Sequence, residues 1–280
     1  MRIAFIGGGH MTTSLVGGLR ARGAAPGDLF VSDPNGAQLE RLQFDFGVRT
    51  TADNATAVHD ADLVVLAVKP QDMASAARSI AGELATRCRI VVSIAAGIRL
   101  ANLAQWLGTG VPVVRTMPNR PALIGAGITA ACAGPGVAHE ERAAVERVLS
   151  AVGALVWLDD EAQMDAVTAV SGSGPAYFFL LIEVLEDAGV ALGLPRTTAR
   201  HLAVQTALGA GRMAAEGSEA PATLREQVTS KGGTTAAALA VLEQADVRGM
   251  FAEAVAAAAR RSAELADQFG GHPGGQSSDK

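Results

Sequence analysis

The chain opens with a short apolar run at residues 2–6, passes through a cluster of glycines, and then places Leu15, Val16 and Leu19 at the spacing of one helix face. The same order of apolar run, turn residues and helical period returns along the first half, with further runs at 29–32, 63–68, 90–94, 112–116, 128–132 and 155–158 and a helix expected over 137–152. Strand-like runs that alternate with helical patterns predict βαβ units, hence an α/β fold with a doubly wound parallel sheet covered by helices on both faces. After Asp159 the pattern changes, and from Glu161 through Phe269 the apolar positions recur only at helical spacing, with turns expected at Gly189, at 193–195 and at 217–221. Three segments follow: residues 1–160 as the sheet domain, 161–269 as an all-α domain, and 270–280, which has no apolar period, as a disordered tail.

Composition narrows the picture. With 280 residues, 49% of them hydrophobic but only 4% aromatic, and 32 glycines, both domains must be built from small side chains packed closely. The formal charge of -5 and the lack of any Lys/Arg block argue against nucleic acid as a partner. The two cysteines, Cys88 and Cys132, are too few for a disulfide framework and read as small buried hydrophobes, and the five histidines stand apart without ligand spacing, so no metal site is expected. The first residues lack a charged leader before a long apolar core, and no apolar run is read as spanning a bilayer. The expectation is a cytoplasmic protein without a membrane partner.

The first glycine cluster carries chemistry. In Gly7-Gly8-Gly9-His10-Met11-Thr12, Gly7 would make the tight turn and Gly9 would let a pyrophosphate approach the backbone at the start of the helix, as in a Rossmann dinucleotide fingerprint. Thr12 stands where a third small residue is expected, so the match is partial. His10 reads as a polar residue at a helix start rather than a catalyst. Asp33 closes the second strand about two dozen residues later, close to where an acidic residue meets the adenosine ribose and favours a free 2′-hydroxyl. Asp33-Pro34-Asn35-Gly36 reads equally well as a turn and helix cap, and both readings stand. Later strands close at Lys69-Pro70, at Ala95-Ala96-Gly97 and at Met117-Pro118-Asn119, a row of small or turn-forming residues along the sheet edge where a flat ring would fit.

In the helical half, Ser171-Gly172-Ser173-Gly174-Pro175-Ala176-Tyr177 is expected to break or bend a helix. Residues 228–235, Val-Thr-Ser-Lys-Gly-Gly-Thr-Thr, lead into a helix-forming run. Paired glycines and flanking hydroxyls at a helix start are either an ordinary N-cap or a cradle for a small anion. No catalytic triad, carboxylate pair or metal cluster can be assembled, so a bound cofactor is expected to carry the chemistry.

In that order the motifs 5–11, 67–71 (Ala-Val-Lys-Pro-Gln), 93–97 (Ser-Ile-Ala-Ala-Gly), 115–119 (Arg-Thr-Met-Pro-Asn), 171–177 and 228–235 resemble pyrroline-5-carboxylate reductase, over nearly the whole chain up to about Leu265. The resemblance implies reduction of 1-pyrroline-5-carboxylate to L-proline by NADPH, with NADH as the alternative. It implies a homodimer through interleaved helical domains, built up in turn into rings such as a decamer. Carried over by residue, Gly8, His10 and Met11 would line the pyrophosphate, Asn54 would approach the adenosine, and Val68, Lys69, Ala95 and Ala96 would border the nicotinamide end, beside Gly7, Gly9, Asp33 and Pro70 from the motif readings above. Ser230, Gly232, Gly233 and Thr234 would hold the substrate carboxylate, Thr235 would place its hydroxyl beside the ring nitrogen as the catalytic residue, and Glu161 would sit at the far edge of the pocket. Lys231 departs from the family, where Pro is common, and Asp33 falls where a hydroxyl often meets the 2′-phosphate. The alternatives are a β-hydroxyacid-type dehydrogenase, which needs a helix-borne lysine after Gly172, and a non-catalytic nucleotide-binding regulator on the same scaffold.

Overall fold

A computed structural model describes residues 1–86 and 90–270. Cys88 and the tail expected from 271 onward lie outside the described residues. By packing, the chain separates into two compact units, one of residues 1–172 with the end of the chain from Ala258, the other Ser173–Ala257.

The first unit contains one sheet of eight strands: β1 (Ile3–Ile6), β2 (Leu29–Ser32), β3 (Arg49–Thr51), β4 (Leu63–Leu66), β5 (Ile90–Ser93), β6 (Val113–Met117), β7 (Gly127–Ala133) and β8 (Gly153–Leu158). Their order is 3-2-1-4-5-6-7-8, and the first six are parallel, the doubly wound arrangement read from the alternating pattern. The strand interiors are apolar on both faces for a reason visible in β1. Ile3 and Phe5 join the cluster built with Leu15, Val16 and Val148, while Ala4 and Ile6 join the opposite cluster with Val64, Met73 and Ile80. Helices α1 (His10–Ala21), α2 (Gly36–Phe46), α3 (Asn54–Val58), α4 (Met73–Thr86), α5 (Leu100–Leu107) and α6 (His139–Leu149) form the connections around it.

The expectation of a parallel sheet needs one correction, since β7 runs antiparallel to β6. Residues 118–126 between them hold only the short helical turn Arg120–Ile124, and a parallel return needs a crossover of roughly a dozen residues or more. β8 then pairs parallel to β7, with Gly127 opposite Gly153.

After β8 the chain runs through the 3-10 turn Glu161–Gln163, α7 (Met164–Val167) and a π-helical turn Thr168–Gly172 into α8 (Gly174–Ala191). At the Ser-Gly-Pro run the helix is interrupted as expected, with a bend at Ser173 before α8 starts anew at Gly174. The π turn leads into that bend, with Gly172 so close to Met117 that an added Cβ would come within 2.5 Å of the Cε, and Pro175 sits in the first turn of α8, where its missing N–H costs nothing. Residues Glu161–Ala191 contain an 18-residue window of mean hydropathy 1.4, long and apolar enough by length and composition to cross a bilayer, which corrects the reading that no such run exists.

The second unit comprises α8, α9 (Arg196–Glu216), α10 (Pro221–Gln227), α11 (Thr234–Gln244) and the first part of α12 (Val247–Gly270). The turn expected at Gly189 is absent, because α8 continues to Ala191 and turns at Gly193, whose φ is +95°. Gly189 serves close packing instead, and a Cβ there would meet that of Ala199 at 3.1 Å. Glu186 is buried between the two helices and accepts from Arg200 Nε at 2.8 Å and Arg196 Nη1 at 2.9 Å. Those hydrogen bonds, Arg200's first, hold its carboxyl below the ordinary carboxylate range. Most apolar side chains of this unit point outward, with Phe178, Phe179 and Leu180 at 65%, 60% and 59% exposure on three successive positions of α8. A helix apolar on all sides has a surface still to be covered.

Candidate active site

The site begins where β1 ends. Gly7 has a φ of +101°, and an added Cβ would lie 2.7 Å from the Ala67 carbonyl oxygen, so only glycine makes this turn. Thr12, the departure from the fingerprint, is fully buried and donates its hydroxyl to the Gly7 carbonyl at 2.6 Å. The residue missing a small side chain thus closes the loop with a hydrogen bond. Gly9 has open space where a Cβ would stand, which leaves room for a pyrophosphate at the N-terminus of α1.

A cavity of about 620 Å³ opens at this turn, beside the β1/β4 boundary where the strand order reverses. Of the residues expected at the dinucleotide, Gly7, Gly9, Asp33, Asn54, Val68 and Lys69 line it. Its size and its glycine floor suit a dinucleotide. Gly8 is placed otherwise. It is buried, its N–H donates to Asp33 Oδ2 at 2.7 Å, and its carbonyl accepts from Gln38 Nε2 at 2.5 Å, so its peptide faces α2 rather than the cavity. His10 is exposed at the start of α1, Met11 packs against the core, and Pro70 opens a 3-10 turn behind Lys69.

Ala95 is buried in the core cluster under α5 while Ala96 is exposed at the turn, so of this pair only Ala96 presents its side chain outward. The segment 95–100 is braced by Glu161, which sequence reasoning had placed at the pocket edge. Its Oε1 accepts from Leu100 N–H and from Arg115 Nη1, each at 2.8 Å, capping α5 and pairing a guanidinium that is 5% exposed. This ion pair, with Arg115 buried and Glu161 partly exposed, joins strand β6 to the segment after β8. Glu161→Ala is expected to destabilise the protein by about 3 kcal/mol, because Arg115 is left buried without its partner. Glu161→Gln, which keeps an acceptor, should lose less, and equal denaturant midpoints for the two variants would contradict the pairing role.

In the second unit, residues 230–233 form a tight turn, with Gly233 N–H donating to the Ser230 carbonyl at 3.0 Å and Gly232 at φ +73°. Gly233 then serves as N-cap of α11 in an extended conformation and supplies no capping side chain. The first-turn N–H groups, including those of Thr234 and Thr235, therefore have no side-chain cap, and the Ser230 hydroxyl lies against Gly233. Such a turn presents amides and hydroxyls toward an anion.

Sequence reasoning missed Ser32, Asn35, Asp72, Ser75, Ala76 and Ser79, which also line the cavity, as do Ile6, Pro34 and Ala67 of the flanking motifs. Asn54 is held there by Ser32, which donates to its Oδ1, and it donates in turn to Ser79 Oγ at 2.9 Å. The signal was present in part, since Asp72, Ser75 and Ser79 recur at helical spacing. No group of metal ligands occurs among the described residues.

Comparison with known proteins agrees with this geometry. Residues 161–265 match the family model for pyrroline-5-carboxylate reductase dimerisation, and residues 2–97, the part that carries the cavity, match that for coenzyme F420-dependent NADP oxidoreductase. The chain is 49% identical to the pyrroline-5-carboxylate reductase of Pseudomonas aeruginosa over 96% of its own length and 98% of the relative's, and 43% identical to that of Synechocystis over 95% and 98%. Among solved structures it resembles a pyrroline-5-carboxylate reductase from Coxiella burnetii with a TM-score of 0.92 at 40% identity, covering 94% of this chain and 98% of that one. The Plasmodium falciparum pyrroline carboxylate reductase with NADP bound superposes with a TM-score of 0.82 at 29% identity, over 95% and 98%. The glycine turn, the cavity at the strand-order reversal and these full-length likenesses together make this chain a member of the pyrroline-5-carboxylate reductases, NAD(P)H-dependent enzymes that reduce 1-pyrroline-5-carboxylate to L-proline.

Proposed function

We propose that the cavity at β1 and β4 holds the dinucleotide through Gly7, Gly9, Asp33, Asn54, Val68 and Lys69, and that the turn at Ser230, Gly232, Gly233, Thr234 and Thr235 holds the imino acid. The observation that carries this reading is the fit of the cavity, with its glycine floor, to a dinucleotide. When bound, the reduced nicotinamide supplies the hydride. The residues of the chain do the rest by positioning. Uncapped amides at the start of α11 and the Ser230 hydroxyl receive the substrate carboxylate, fixing the ring. The Thr235 hydroxyl orients the proton on the ring nitrogen, which makes the imine carbon a better hydride acceptor without a strong acid in the site. The α8 helix carries no lysine, so it lacks the general acid and base of the β-hydroxyacid dehydrogenases.

The exposed apolar helices of the second unit and the dimerisation match support a homo-oligomer. We take the assembly to be a homodimer and, beyond it, a ring such as a decamer. The same surface accounts for the hydropathy of the 161–191 stretch without a membrane, in keeping with a cytoplasmic enzyme. Light scattering at micromolar concentration should return at least a dimer, and a monomer would contradict the interface. The function is tested by a steady-state assay run in parallel with NADPH and NADH. Loss of reduced-nicotinamide absorbance that depends on 1-pyrroline-5-carboxylate is expected, and no such loss with either cofactor would end the proposal, leaving the silent nucleotide-binding regulator.

A further inference from the structure

We propose that the dinucleotide cavity selects a free adenosine 2′-hydroxyl over a 2′-phosphate, and so NADH over NADPH, through the carboxylate of Asp33, which the fold itself locks in place. The inference rests on the dinucleotide reading of the cavity. Asp33 lines that cavity at the end of β2, and both of its oxygens are engaged by main-chain donors. Oδ2 accepts the Gly8 N–H at 2.7 Å and Oδ1 the Asn35 N–H at 2.8 Å. Gln38 completes the clamp by donating to the carbonyl of the same Gly8. The carboxylate cannot rotate out of the way of a phosphate without abandoning both amides, which would be left unpaired. A 2′-hydroxyl, in contrast, can donate to a lone pair that these bonds leave free.

Two further features act in the same direction. A phosphate near this loop would look to the N-terminus of α2 for donors, and two of the amides there are answered from within. The Asn35 side chain accepts the Gln38 N–H at 3.3 Å, and the Asn35 N–H is taken by Asp33. Among the described residues lining the cavity, the only cation is Lys69, which follows β4. In the strand order β1 lies between β2 and β4, so Lys69 belongs to the side of the cavity away from the Asp33 loop. The other lining charge, Asp72, is negative. A 2′-phosphate would therefore set its charge beside a fixed carboxylate, with no cation on the β2 side among the described lining residues.

Direct binding tests this without turnover. The dissociation constants of NADH and NADPH are measured on the full-length protein from the fluorescence of the reduced nicotinamide, with no imino acid present. NADH should bind at least about tenfold more tightly, equivalent to about 1.4 kcal/mol. The gap should narrow as salt is raised, because screening weakens the repulsion. Asp33→Ser should close or reverse the gap by a gain in NADPH affinity. Asp33→Asn, which removes the charge and keeps the shape, should move it the same way, with thermal melting confirming that each variant is folded. Tighter binding of NADPH by the unaltered protein overturns the inference while leaving the dinucleotide site intact, as does an equal change for both cofactors in the folded variants. Binding of neither cofactor overturns the dinucleotide reading and the selectivity with it.

Discussion

Replacing Thr235 by alanine should lower kcat by about 10²-fold, roughly 2.7 kcal/mol of barrier, while the affinity for reduced dinucleotide is unchanged. The argument starts from the local structure. Thr235 is the second residue of α11, partly buried, two residues after the Gly233 cap and beside the uncapped first-turn amides. If those amides hold the carboxylate as proposed, the ring lies at the same helix end, and the role proposed for the Thr235 hydroxyl is to fix the proton on nitrogen. That proton matters more as the imine becomes an amine, so the loss should fall on kcat more than on KM. Thr235→Ser retains the hydroxyl and should recover most of the rate. Turnover unchanged in Thr235→Ala would remove the residue from the mechanism.

Gly153→Ala should cost about 3 kcal/mol or more, lowering Tm by about 6–12 °C. Gly153 opens β8 at a φ of +146°, where side chains are rarely tolerated, and an added Cβ would run into the carbonyl oxygen of Gly127, its partner across the β7–β8 ladder. Neither backbone can retreat, because Gly127 is itself pressed against Ala122, which a Cβ there would meet at 2.8 Å. The strain would force β8 away from β7 and loosen the edge from which the chain continues to Glu161. Gly136→Ala is a useful comparison. That glycine also has positive φ, at +81°, but it has open space around it, so only backbone strain of about 1 kcal/mol is at stake. Equal losses in the two variants would show that the close approach at Gly127 is not the cause.

How far the sequence reached can be judged from particular residues. Seven of the eight strands lay close to their apolar runs, since a strand of a covered sheet is a short apolar segment and needs no knowledge of its neighbours, whereas β3, Arg-Thr-Thr and only partly buried, carries no such signal and was missed. The glycine turn was equally legible, because Gly7 answers a local backbone demand. Gly189 shows the opposite case. As a local signal it reads as a turn, yet its role is to admit Ala199 from the next helix. The π turn at Thr168–Gly172 was hidden for a related reason, since it depends on the contact of Gly172 with Met117, far away in the chain.

What the sequence by itself determined is the succession of elements, the change from sheet to helices after Asp159, and the two places where backbone amides collect, after β1 and before α11. These follow from the period of apolar residues and from glycine, proline and hydroxyl positions, all of them interactions between near neighbours. Only the tertiary structure decided the direction of β7, the capture of Asp33 by Gly8, and the pairing of Glu161 with Arg115. The physical reason is that an oxygen or a guanidinium takes whichever partner the packing brings within reach. For Glu161 those partners lie 46 and 61 positions away, beyond any local pattern.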